Sequence, residues 1–171
     1  MEGIVEKTKK GDDEMPSMKW SDRTGLEIGR YAEYYAKMEF TSYGFEVFTS
    51  ELDDHGVDFI AHHPKDGTYF EIQVKSIRDY NYAFVTKDKM ESLSGGKLPA
   101  NRLVCLLRFE DGKLPEVYII PAKAWEKPND LLKDKDYDGL KSKPEWGINV
   151  SRKNLDLLKE YEIETFMRLF S

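Results

Sequence analysis

Asp58, Gln73 and Lys75 form the most chemically loaded stretch of this sequence. They lie in DDHGVDFIAHHPKDGTYFEIQVKS, residues 53–76, where two short apolar runs flank a polar turn. Asp58 stands inside GVDFIA, and Glu71, Gln73 and Lys75 alternate with Phe70, Ile72 and Val74 in FEIQVKS. Side chains on a strand alternate faces, so the three polar groups share one face and the apolar ones the other. Carboxylates and an amide carbonyl are hard oxygen donors of the kind Mg²⁺ or Mn²⁺ accepts. An ammonium beside them orients or deprotonates a water, or stabilises charge developing on a phosphate. A metal and lysine set of this kind suits hydrolysis of a phosphodiester.

A helix must face this hairpin. TGLEIGRYAEYYAKMEFTSYG has helical periodicity over about five turns, with Gly44 as the stop. Thr24 and Glu27 have the spacing of a capping box, which gives Glu27 a structural task. Leu26, Gly29, Glu33, Ala36 and Phe40 fall on one stripe, with Glu33 in its middle. An acid buried there is paired, protonated or ligating, so Glu33 is a candidate third side of the site.

The strands follow from alternation and turn residues. Segments 45–51, 56–63 and 68–77 predict an antiparallel meander. Residues 80–96 begin extended and become a short helix around Lys87–Leu93, ended by Gly95-Gly96. NRLVCLLRF, 101–109, predicts a central strand covered on both faces, and EVYIIP another that ends at Pro121. Residues 126–146 predict a loop with one short helix, Ser151 a cap for a helix over 152–161, and ETFMRLF a segment docked on the core. One mixed sheet flanked by helices accommodates this order.

Bulk properties narrow the function. The net charge of -6 excludes wholesale electrostatic coating of a polyanion but leaves room for a local basic groove. Arg78, Lys87, Lys141 and Lys143 are candidate phosphate contacts, which would give salt-dependent binding. The single cysteine, Cys105, permits no disulfide within the chain, in keeping with a reducing cytoplasm, and sits in an apolar run as a core residue. No apolar run approaches a membrane span and no signal-peptide core is present. Residues 1–20 are expected to be a mobile tail and 21–171 a single domain. His62 and His63 are adjacent, so they point to opposite faces and do not share one ion.

Asp58, then Gln73-x-Lys75, preceded by a helix carrying Glu33, resembles the PD-(D/E)XK, or restriction-endonuclease-like, nuclease superfamily over residues 24–121. The resemblance is nearest to small bacterial domains whose third strand reads roughly IQVKS. It implies an αβββαβ core and cleavage of DNA, less often RNA, with Mg²⁺. It would place the first acid on Asp58, the second acid on Gln73, the lysine on Lys75 and the helix acid on Glu33. The departure is Gln73, which offers a carbonyl oxygen but no charge, and Glu71 on the same face is the candidate that restores it. The expected activity is a metal-dependent nuclease with DNA as partner and a homodimer allowed. The alternative is an inactive nucleic-acid-binding or protein-interaction module that keeps the fold.

Overall fold

A computed structural model of the chain describes residues 17–49, 55–91 and 95–171. Packing starts before Ser21. The Met18 carbonyl accepts from the Gly112 amide at 3.0 Å, and the buried Trp20 donates to the Lys113 carbonyl at 2.8 Å. Residues 17–20 therefore belong to the folded body rather than to the expected tail, and residues 1–16 lie outside the described residues.

Helix α1 (Gly25–Ser42) opens with the expected capping box of Thr24 and Glu27 and is followed by Gly44 at φ +86, a left-handed stop. Its buried ridge is Ile28, Ala32, Ala36 and Phe40, not the stripe through Glu33, and Leu26 is 82% exposed. Two alanines between larger apolar ends let the helix approach the sheet without desolvating an acid. That choice rotates Glu33 to the flank.

Strands β1 (Glu46–Phe48), β2 (Phe59–His63) and β3 (Thr68–Arg78) pair antiparallel in order, as the turn spacing predicts. Strand β4 (Tyr82–Thr86) and helix α2 (Lys87–Glu91) then cross over to β5 (Arg102–Phe109), which lies parallel to β3. β6 (Glu116–Pro121) closes this mixed sheet in the order β1-β2-β3-β5-β6. All eight residues of β5 are buried. Leu103, Cys105, Leu107 and Phe109 enter the core beneath α1, while Val104 and Leu106 enter a second core on the other face. Burial raises the Cys105 thiol pKa and keeps it inert.

The second core is covered by a sheet that the sequence reading placed in a loop. β7 (Leu132–Lys135) and β8 (Glu145–Asn149) join β4 in the antiparallel order β4-β8-β7. Each is short, and Leu132, Trp146 and Ile148 join Ala83 and Val85 of β4 on the inward face of this sheet. On the outer face Tyr82 lies across Gly147, its hydroxyl 2.7 Å from Glu145 and the Lys135 ammonium 4.0 Å from its ring centre. A Cβ at Gly147 would come 1.9 Å from the Tyr82 hydroxyl. Gly147→Ala is therefore expected to displace the ring and cost about 1–3 kcal/mol, visible as a lower Tm in a thermal melt.

Helix α3 (Leu155–Lys159) starts later than the Ser151 cap predicts. Asn154 explains this, because its side chain accepts from the Ser151 amide and donates to the Asp130 and Asn149 carbonyls, holding the chain in a turn. Helix α4 (Ile163–Met167) docks as expected, with Phe166 and Phe170 packed around Phe70. No helix among the described residues is long and apolar enough to cross a membrane.

Candidate active site

The site begins where β2 leaves β3. The last paired residues are Phe59 and Ile72. One residue earlier, the Asp58 amide still donates to the Ile72 carbonyl at 2.8 Å, outside the strand proper. The Asp58 carboxylate then accepts from the Val74 amide at 2.5 Å. A side chain thus replaces the carbonyl that a continued strand would have offered, and it fixes the carboxylate against the β3 backbone between Gln73 and Lys75.

Strand alternation sets the rest. Phe70, Ile72 and Val74 pack under α1, so Glu71, Gln73 and Lys75 face the side covered by α2 and the second sheet. Gln73 is only 5% exposed, and its Oε1 is buried with no hydrogen-bond partner among the described residues. Its Nε2 lies beneath Gly56, where a Cβ would sit 3.2 Å from that nitrogen and 3.2 Å from Lys89 Cβ. Gly56 is also at φ +68, a conformation side chains disfavour. The turn 55–58 and α2 close over Gln73 because this position has no side chain. Gly56→Ala is expected to lower stability by about 1–2 kcal/mol and to shift Gln73, read as a lower Tm in a thermal melt.

Glu71 has a structural task. Arg102 is fully buried, and its Nε and a terminal nitrogen each lie 2.9 Å from Glu71 Oε2, while Nη1 donates to the Lys89 carbonyl at 3.3 Å. One buried guanidinium therefore ties β3, β5 and α2 together around the site. Glu33 sits on α1, which packs on the opposite sheet face, and pairs with Arg30 at 3.2 Å. Among the described residues no three His, Cys, Asp or Glu side chains gather closely enough to hold a metal ion. Asp58, Glu33 and Glu71 are thus not brought together as an acidic triplet, because α1 presents its alanine ridge to the sheet and Arg102 holds Glu71.

The predicted phosphate contacts also fare unevenly. Arg78 donates to the carbonyls of Trp20, Ser21 and Arg23. Lys87 lies 2.5 Å from Asp134 and 2.7 Å from Asp136, over the Trp146 ring. Lys143 pairs with Asp88 at 2.8 Å, and that contact holds the Asp88 carboxyl at about 2. Lys141 is exposed. The structure gives Arg78, Lys87 and Lys143 partners within the chain; Lys89, two residues beyond Lys87, is exposed and packs beside Gly56 and Gln73. Gly56 and Arg102 were missed from sequence, although a glycine two residues ahead of Asp58 was a readable sign of a positive-φ turn. His62 pairs with Glu46 at 2.8 Å and His63 with Asp66 at 3.0 Å.

A cleft of about 520 Å³ lies elsewhere, lined among others by Glu39, Glu116, Glu162 and Glu164. Burial, then the nearby Glu164, raises the Glu39 carboxyl. The four glutamates of the cleft outnumber Arg108 and Lys159 in the lining, which disfavours a polyanion there.

No protein-family model and no curated protein matches the chain. Among solved structures the chain is similar to Archaeoglobus fulgidus Hjc, a Holliday junction resolvase from an archaeal hyperthermophile. The TM-score is 0.52 at 14% identity, covering 82% of this chain and 95% of that one. At that identity the likeness shows the fold. The chain has the restriction-endonuclease-like fold, a mixed central sheet flanked by helices.

Proposed function

We propose that the chain is a metal-dependent nuclease hydrolysing phosphodiester bonds in DNA. The observation that carries this reading is the buried Gln73 Oε1, without a hydrogen-bond partner among the described residues, on the strand that the Asp58 carboxylate caps. A buried acceptor left unmet costs about 1–3 kcal/mol, and such an atom calls for a water, ion or ligand to complete it. One carboxylate and one amide oxygen fit Mg²⁺ or Mn²⁺, which keeps its other positions for waters and substrate phosphate oxygens. Asp58 and Gln73 would hold the cation, while Glu71 serves Arg102 and Glu33 stays with Arg30. When bound, the cation supplies Lewis acidity at the phosphate and a more acidic water. The Val74 amide holds Asp58 still. Lys75, about 6.6 Å along the strand from Gln73, stabilises charge growing on the phosphate oxygens or takes the proton of the attacking water. Lys89 binds a neighbouring backbone phosphate. Fold similarity to a Holliday junction resolvase supports DNA as the substrate and makes a four-way junction the first one to try.

The test is incubation of the chain with supercoiled plasmid and with a labelled four-way junction, in Mg²⁺, Mn²⁺ or EDTA. Nicked or cut product only with metal is the expected result, and no product in either metal sinks the nuclease reading. One observation favours a second reading, a DNA-binding module that does not cut: the absence of an acidic triplet among the described residues. Its signature is a junction mobility shift in EDTA with no cleavage in metal.

A further inference from the structure

The sheet β4-β8-β7 buries one face, and alternation puts Tyr82, Phe84, Lys133 and Lys135 on the other, around Gly147. The solvated face of an antiparallel sheet ordinarily carries polar side chains. Here aromatic rings stand among the lysines. Phe84 is 45% exposed, and its ring lies within 26° of parallel to that of Tyr82, with centres 6.3 Å apart. Gly147 has no side chain to interrupt this floor, and Tyr82 lies across it. Tyr80, two residues before Tyr82, is 40% exposed and continues the alternate spacing of YNYAF, residues 80–84.

Cations accompany the rings. The Lys135 ammonium lies 4.0 Å from the Tyr82 ring centre, and the Arg152 guanidinium 5.4 Å from that of Tyr80. The Val150 amide donates to the Asn81 carbonyl at 3.0 Å, which keeps the segments carrying Arg152 and Tyr80 side by side. Phe84 and Lys133 flank Gly147 in register from its two sides. Lys133 reaches Asp130 at 3.7 Å, an exposed pair of little strength. Glu145, the acid that shares this face, is buried; it accepts from the Tyr82 and Tyr137 hydroxyls and has Lys135 3.8 Å away. In a chain of net charge -6, a surface led by Lys133, Lys135 and Arg152 is a local reversal of sign.

Rings interleaved with cations match unstacked bases joined by phosphates, since aromatic side chains stack on base faces while cations track the backbone. A duplex hides its base faces between neighbouring pairs, so a single strand is the form that satisfies both. We propose that the outer face of the β4-β8-β7 sheet binds single-stranded DNA, with bases on Phe84 and Tyr80 and phosphates against Lys133, Lys135 and Arg152. The binding needs neither metal nor cleavage; only the choice of DNA over RNA rests on the nuclease reading.

Fluorescence anisotropy of a labelled oligothymidylate with the whole chain in EDTA tests this. The wild type is expected to bind with a dissociation constant of about 1–100 µM. Phe84→Ala should bind at least about fivefold more weakly, with unchanged circular dichroism because Phe84 is exposed. Lys133→Gln, which removes no ring, should lower the slope of log affinity against log salt by about 0.7. An unlabelled duplex of equal length should compete poorly. No binding at about 100 µM, equal affinity in Phe84→Ala, or a duplex that competes as well as the single strand each overturns the proposal. Loss of binding in Lys75→Ala but not in Phe84→Ala puts the strand at the candidate active site and overturns it too. Tighter binding of oligouridylate overturns the choice of DNA. A self-association abolished by Phe84→Ala, with no oligonucleotide bound, gives the face to a second copy instead. A chain that shows the expected losses yet never cleaves with metal fails the nuclease reading alone.

Discussion

Lys75→Ala is expected to lower metal-dependent cleavage by about 10³-fold while leaving Tm within about 2 °C of wild type. Lys75 is half-buried on the same strand face as Gln73, and replacing it removes the site's cationic contribution without removing a core contact of α1. Asp58 needs a finer comparison, since its carboxylate does two things. On the nuclease reading it offers an oxygen to the site, and it satisfies the Val74 amide. Asp58→Ala loses both, so a fall in activity is accompanied by about 1–3 kcal/mol of lost stability from the orphaned amide. Asp58→Asn keeps a carbonyl oxygen for Val74 and removes only the charge. The nuclease reading requires Asp58→Asn to be as inactive as Asp58→Ala yet closer to wild type in Tm. Steady-state cleavage and thermal melts on the same preparations decide this, and a fully active Lys75→Ala ends the assignment.

The meander, the capping box of Thr24 and Glu27, the all-buried strand Arg102–Phe109 and the shared face of Glu71, Gln73 and Lys75 were legible because each rests on local periodicity. The second sheet was not, since β7 and β8 are short, and LKDK reads as a loop until Leu132 finds a core to enter. The helix face was misjudged for a related reason. Both Leu26–Glu33–Phe40 and Ile28–Ala32–Ala36–Phe40 have helical spacing, and only the sheet beneath decides between them. Charge was the least legible property. Lys87 and Arg78 look like free cations in the sequence, yet aspartates some fifty residues away and three backbone carbonyls claim them. Arg102 shows the converse, a charge inside an apolar run that becomes the clamp on Glu71 and α2.

Gln73→Glu is expected to make the chain less stable without metal and tighter in binding it. A carboxylate at a position only 5% exposed, on the strand capped by Asp58, is disfavoured by burial and by the neighbouring charge, and both push its pKa up. The sign for stability follows from that direction. A carboxyl whose pKa is higher in the folded state binds its proton more tightly there, so the variant loses stability as pH rises through its folded value. Metal-free Gln73→Glu should therefore melt furthest below wild type near pH 8 and recover toward pH 5. A divalent cation reverses the sign, because it needs the charge that burial penalises, and more ligand charge tightens oxygen sites. The Mn²⁺ midpoint is expected to fall about tenfold, and saturating Mn²⁺ should raise the variant's Tm by more than it raises that of wild type. If Gln73 Oε1 does not face a cation, the new carboxylate lowers stability with or without Mn²⁺ and leaves the midpoint where it was. That outcome would remove the amide from the metal site while leaving Asp58 and Lys75 to be judged by their own variants, so the charge at position 73 separates a cutting site from a merely inherited shape.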